Sequence, residues 1–204
     1  MNQPLIGPGH VGVGGDFARV FDSEDYMSMV NALDEATVVL RAHLVLEEFL
    51  NIWAARITGT EDLFDGVFVP FKTKLFICKN LGFAEEFADV FDRVNTIRNR
   101  YSHRRKYKLE ESGLAGLRGA VDALPSSLPL LPCESFEIYL EGPDANGTRR
   151  QLTYTWATAD IKKRLTLVQV VLVLKLVQWM QQEFNERGIK YKLVVWPATG
   201  YAQR

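Results

Sequence analysis

From Ser23 to about Thr58 the chain reads as one long helix. Val39, Ala42, Leu46, Phe49, Leu50, Trp53 and Ile57 repeat at the i, i+3, i+4, i+7 spacing of a single apolar stripe, with no Gly or Pro inside the run. Asp22 or Ser23 suits its N-cap and Gly59 its stop. His43 and Glu47 lie together on one flank of the stripe. A loop through Gly66 and Pro70 leads to a shorter helix, about Phe71 to Asn80, that ends near Gly82. A second long helix runs from about Ala84 to Arg104. Phe87, Val90, Phe91, Val94, Ile97 and Tyr101 form its buried stripe; Asp92, Thr96, Asn99 and His103 form a polar row, and Arg98 falls on the edge of the apolar side.

The pattern changes after one further helix, about Leu109 to Leu124. Pro125 to Pro132 holds three prolines and two serines and reads as a connector. Ser135 to Leu140 and Gln151 to Trp156 then alternate apolar and polar residues on either side of turn residues between Pro143 and Gly147, which predicts a β-hairpin. Thr158 or Asp160 caps a last helix from Ile161 to about Arg187, stopped by Gly188. Its apolar residues cover more than one face, so it is expected to lie between other elements. Ile189 to Trp196 resembles a final short strand that would pair with the hairpin.

Ahead of the helices, Gly7, Gly9 and Gly12 match G-x-G-x-x-G, yet only six residues precede Gly7, and Gly14-Gly15-Asp16 continue the loop where a dinucleotide site needs a helix to open. A flexible arm fits better. The expected organisation is a flexible arm over residues 1–22, a helical core over 23–124, and a hairpin, long helix and terminal strand packed on it over 125–204. The expected fold class is mainly α: an antiparallel helical bundle with a small C-terminal β-hairpin and a long packing helix.

Of the 204 residues, 47% are hydrophobic and 24% charged, an ordinary globular balance. A net charge of −1 gives no global attraction for nucleic acid, so any such affinity must come from a local patch. One exists: Arg93, Arg98, Arg100, Arg104, Arg105, Lys106 and Lys108 follow one another with no acidic residue between Asp92 and Glu110. Cations near a helix C-terminus gain about 0.3–1 kcal/mol each from the helix dipole, so a solvated capping cluster is one reading. A polyanion site is the other.

Within that patch, Arg98 and His103 carry complementary chemistry. An imidazole can take the proton from a ribose 2′-OH or give one to a leaving 5′-oxygen near neutral pH. A guanidinium can fork onto the non-bridging phosphate oxygens and stabilise charge that grows in the transition state. Together they supply metal-free transesterification that leaves a 2′,3′-cyclic phosphate. At about 100° per residue, however, Arg98 and His103 lie about 140° apart around a straight helix. Either the helix ends near Ser102, or a second subunit completes the site.

The run Arg98-Asn99-x-x-x-His103 near a helix end, after a long helix reading Leu40-Arg41-Ala42-His43-Leu44-Val45-Leu46-Glu47, resembles the HEPN superfamily of helical ribonucleases and nucleotide-associated proteins over roughly residues 23 to 124. The resemblance implies a HEPN-like bundle with Arg98 and His103 as a metal-independent RNase centre, commonly at a homodimer interface. Asn99, the polar residue that often follows the Arg, would orient one of the pair or contact phosphate. Arg100, Arg104, Arg105 and Lys106 would hold the RNA backbone. Some toxin members carry a Tyr two residues past the His, where this chain has Arg105. The hairpin and the Leu165-rich helix lie outside the core family pattern.

The expected function is therefore a dimeric endoribonuclease of toxin or phage-defence type, with RNA as substrate and an antitoxin or regulatory protein as a second candidate partner. No cofactor or metal is expected, because the chain has no His-Glu-x-x-His and no paired carboxylates at metal spacing. His43 reads chiefly as a core or interface histidine hydrogen-bonded to a neighbour, with a supporting role beside Glu47 at the cleft as the alternative. A non-catalytic HEPN-like interaction or regulatory module, or a binder of nucleotides without turnover, are the competing functional readings. Cys78 and Cys133 form no CxxC and read as reduced core thiols. Residues 1–16 lack the basic and apolar regions of a signal peptide, and Leu165 to Met180 is broken by Gln169, Lys175 and Gln178 and is shorter than the ~20 residues of a bilayer span. A cytoplasmic protein without a membrane anchor is expected.

Overall fold

The computed structural model describes residues 12–196 except Arg105, 127–129, Leu131 and 144–148. Residues 1–11 of the expected flexible arm, with Gly7 and Gly9, lie outside these residues.

The long helix expected from Ser23 is two helices, α1 (Ser23–Val30) and α2 (Glu35–Thr58). The break has a local cause. Asp34 turns its carboxylate onto the backbone N–H of Thr37 at 2.8 Å, starting a new helix. The carbonyls of Ala32 and Leu33 are taken by the Lys162 ammonium, at 2.9 and 3.4 Å, rather than by a continuing helical ladder. Gly59, at φ 68°, then stops α2 in the left-handed conformation that favours glycine.

The remaining helices follow the periodicity closely: α3 (Phe71–Asn80), α4 (Glu85–His103), α5 (Glu111–Asp122) and α6 (Ile161–Glu186). The protein is mainly α-helical. α2 runs through the middle and packs on α1, α3, α4 and α6, while α6 packs on α1, α2 and α5. One continuous core results, from Phe17 to Phe184. Trp53 of α2 anchors it, fully buried and stacked on Trp179 and Phe184 of α6 at 4.8 and 5.6 Å. Burying a Phe or Leu side chain of this kind contributes roughly 1.5–3 kcal/mol. By length and composition α6 could cross a bilayer; 67% of its most apolar window is buried in the bundle, so it is the core helix here.

Among the described residues, two small antiparallel sheets complete the fold. The hairpin consists of β2 (Ile138–Pro143) and β3 (Arg149–Tyr154), with Ile138 opposite Tyr154 and Pro143 opposite Arg149. The other sheet departs from expectation at both ends of the chain. Residues 12–15 are a strand, β1 (Gly12–Gly15), and the terminal strand β4 (Leu193–Trp196) pairs with it rather than with the hairpin.

Asp16 locks that pairing. Its carboxylate accepts from the backbone N–H of Lys192 at 2.9 Å and holds Arg56 of α2 at 3.0 Å. Phe17 is fully buried against Phe49 and Tyr191. Gly15, at φ 74°, is needed for the close approach: a Cβ there would stand 2.1 Å from the Lys192 carbonyl oxygen. The expected flexible arm is thus ordered from Gly12 onward, and Gly15, which resembles a loop residue in the sequence, is the one that lets the two strands meet.

Candidate functional site

Charge is separated along α4. Glu85, Glu86, Asp89 and Asp92 occupy its first half, whereas Arg93, Arg98, Arg100 and His103 occupy the second. The helix is regular through His103, with the Arg104 N–H closing on the Arg100 carbonyl at 3.0 Å. It does not end before His103, so within one chain Arg98 and His103 project about 140° apart.

Arg98 is half-buried between α4 and the start of α2. Its Nη1 donates to Asn99 Oδ1 at 3.1 Å, while its Nε is buried with no hydrogen-bond partner. It opens into a cleft of about 280 Å³ bounded by Asp34, Thr37 and Leu40 of α2 and by Tyr101 and Ser102 of α4. His103 is exposed and has no hydrogen-bond or ion-pair partner among the described residues. Arg100, Arg104 and Lys106 are likewise exposed around it; Arg105 lies outside the described residues.

His43 and Glu47 do not border this cleft. His43 is buried, 3.3 Å from Asn95 Oδ1 and packed on the Phe71 ring at 4.2 Å. Burial lowers its pKa and the nearby Arg98 charge pushes the same way, against the opposing effects of Asn95 and Glu47. Glu47 instead pairs with Lys74 of α3 at 2.8 Å, and Lys74 also donates to Asn51 at 3.2 Å. These two residues belong to a polar seam between α2 and its neighbours.

The stripe pattern marks Tyr101 as core, but its hydroxyl has a polar task. It donates to the Glu35 carboxylate and accepts from the backbone N–H of Leu109 at 3.0 Å, while Leu109 N also reaches Glu35 at 3.1 Å. Burial and the Glu35 contact push the phenol pKa up. The clamp ties the segment after α4 to the first turn of α2. A Tyr at a helix end, with a Glu at the start of the helix it packs on, was the available signal.

A larger cavity, about 520 Å³, lies at the opposite end of α2 beside the turn at 59–66. Its two arginines are already paired, Arg56 with Asp16 at 3.0 Å and Glu61 at 3.4 Å, and Arg19 with Glu48 at 3.5 Å, and Asp62 and Asp65 add further negative charge to its lining. Size alone does not make it the site; the cleft at Arg98 has the free donor. Among the described residues no three His, Cys, Asp or Glu side chains converge to hold a metal ion. Cys78 and Cys133 are buried and unpaired, and burial pushes the Cys78 thiol up to about 12.

No protein-family model, curated protein or solved structure matches the chain.

Proposed function

We propose that this protein is a HEPN-like, metal-independent endoribonuclease of toxin or phage-defence type, acting in the cytoplasm as a homodimer. The observation that carries the reading is the state of the two side chains. Arg98, which lines a cleft, is held by Asn99 and keeps a buried Nε without a partner, and His103 stands free at the basic end of the same helix. An orphaned buried donor of this kind costs about 1–3 kcal/mol unless a ligand or water satisfies it, and a phosphate oxygen suits it. His103 would move the proton between the 2′-OH and the leaving oxygen; Arg98 would hold the phosphate.

Because α4 is unbroken through both residues, Arg98 and His103 need a second copy to act on one phosphate. Leu33, Leu40 and Leu44 expose 96, 46 and 50% of their surface along the start of α2. Leu40 borders the Arg98 cleft, so a copy seated on this row would lie over it. The same apolar row favours the second reading, a non-catalytic module whose partner is another protein.

Cleavage of single-stranded RNA in the presence of a chelator separates the two. The expected products end in a 2′,3′-cyclic phosphate, and Arg98→Ala and His103→Ala each abolish cleavage while the elution volume of the dimer is unchanged. Lack of cleavage by the unmutated protein at high concentration, or cleavage by both variants at the original rate, overturns the enzyme reading.

A further inference from the structure

The pole of the bundle that carries Arg98 and His103 continues onto α6 and the hairpin. Lys162 donates to the two carbonyls just before Asp34, and Asp34 borders the Arg98 cleft. On the next residues, the Lys163 ammonium lies 4.7 Å from the Tyr154 ring, and the Arg164 guanidinium 5.6 Å from the Trp156 ring. Arg118 of α5 lies 5.4 Å from the same indole. Both rings are half-exposed. Between Arg149 and Arg164 there are five basic residues against the single Asp160, in a chain of net charge −1. The register sets Arg149 and Arg150 opposite Pro143 and Gly142, at the turn end of the hairpin.

Two features mark this strip as a surface for a ligand. The hairpin strands pair chiefly with each other, although an isolated two-stranded hairpin is marginal in water, and they leave Tyr139 and Leu152 60 and 53% exposed. Second, the carboxylates that pair with Arg164 and Lys163, Glu111 at 3.3 Å and Asp160 at 2.9 Å, are the exposed members of their pairs, so a phosphate can displace them at small cost while Arg164 Nε stays fixed to the Trp156 carbonyl at 3.0 Å.

We infer that the first turn of α6 and the hairpin form an extended binding strip for single-stranded RNA, taking the nucleotides that flank the one held at Arg98. Alternating cations and half-exposed aromatic rings match a polymer of phosphates and unstacked bases: Arg and Lys neutralise the backbone while Tyr154 and Trp156 offer faces for stacking. The choice of RNA as the polyanion rests on the ribonuclease reading; the strip itself rests on its own geometry.

The test is fluorescence anisotropy of the full chain with a labelled 2′-O-methyl oligoribonucleotide, which cannot be cleaved, beside metal-free cleavage of a dinucleotide too short to reach the hairpin. Arg149→Ala/Arg150→Ala is expected to weaken oligonucleotide binding about tenfold and to reduce the salt slope by about 1.4, with dinucleotide cleavage unchanged. Lys163→Gln, on α6 rather than on the hairpin, is expected to weaken binding in the same direction, which covers the case of a hairpin that fails to form. Equal binding by the unmutated protein and both variants overturns the strip and favours a protein partner there, as does no binding by the unmutated protein. If the variants lose binding but no RNA is cleaved by any form, the strip stands and the ribonuclease reading falls.

Discussion

His43 Nε2 lies 3.3 Å from Asn95 Oδ1 in the buried seam that joins α2 to α4, one turn of α4 away from Arg98. Protonating this imidazole places a second cation in a dry interior beside a guanidinium, which is why its pKa lies below the ordinary 6.5.

The depressed pKa fixes the sign of a pH effect. Below about pH 6.5 the unfolded chain binds a proton at His43 that the folded chain does not, so this contribution to stability is fully present above 6.5 and is lost as the pH falls towards the folded value. The melting temperature is expected to drop by a few degrees between pH 7.5 and 5.5, and His43→Gln, which keeps a partner for Asn95, should flatten that slope. Asp34, held low by its hydrogen bonds from Thr37, titrates below this window and does not obscure it. An identical slope in the variant would show that other groups govern the acid limb.

Tyr101→Phe tests the clamp at the end of α4. The substitution removes the hydroxyl that donates to Glu35 and accepts from Leu109 N, leaving Leu109 N its second acceptor on Glu35 at 3.1 Å. A loss of about 1–2 kcal/mol is expected in urea unfolding. Trypsin should also cut faster between Arg104 and Lys108, because the clamp fastens that segment to α2. Stability and proteolysis both at the original level would assign the phenol to packing alone.

The helices were largely legible because each presents a stripe at the helical period, whereas Arg98 and His103 were singled out by residue type alone, which says nothing of how they pack. What stayed hidden depends on contacts between residues far apart in the chain. The break between α1 and α2 is set by Lys162, and the pairing of β1 with β4 by Asp16 and its bonds to Lys192 and Arg56. Neither leaves a periodic mark: the residues of 31–34 include no Gly or Pro, and the glycines of β1 resemble a loop. The flank position of His43 and Glu47 was visible, but which neighbour each meets follows from how α3 and α4 lie against α2.

Asn99 is expected to act as a positioning residue for Arg98 in the proposed reaction. Its Oδ1 receives Arg98 Nη1 at 3.1 Å, so Asn99→Ala frees the guanidinium to swing, and a misplacement of about 1 Å can cost up to about a hundredfold in rate. The loss should fall on kcat more than on KM, with little change in melting temperature. Asn99→Asp, which keeps an acceptor at the same place, should recover most of the rate. Equal activity of Asn99→Ala and the unmutated protein would remove Asn99 from the site.

Lys175 supplies the sharpest stability prediction, since it is a buried ammonium at 5% exposure in the apolar middle of α6. It donates to the carbonyls of Val121, Asp122 and Leu124 at 3.0, 2.8 and 2.9 Å and so closes the C-terminal end of α5. Burial lowers its pKa, partly offset by Asp122, and the charge is kept by three carbonyl dipoles at a helix end whose own negative pole favours a cation. Lys175→Met fills the volume but strips all three acceptors of their donor. At about 1–3 kcal/mol for each buried group left unpaired, discounted for those that water reaches, a loss of at least about 3 kcal/mol is expected. In a chain of this size that is roughly 6–12 °C in melting temperature. The damage should centre on α5, detectable as faster hydrogen exchange at its last turn than at α2. A Lys175→Met protein as stable as the original would mean that the three acceptors find water, and that the ammonium contributes no more than an apolar side chain of the same length.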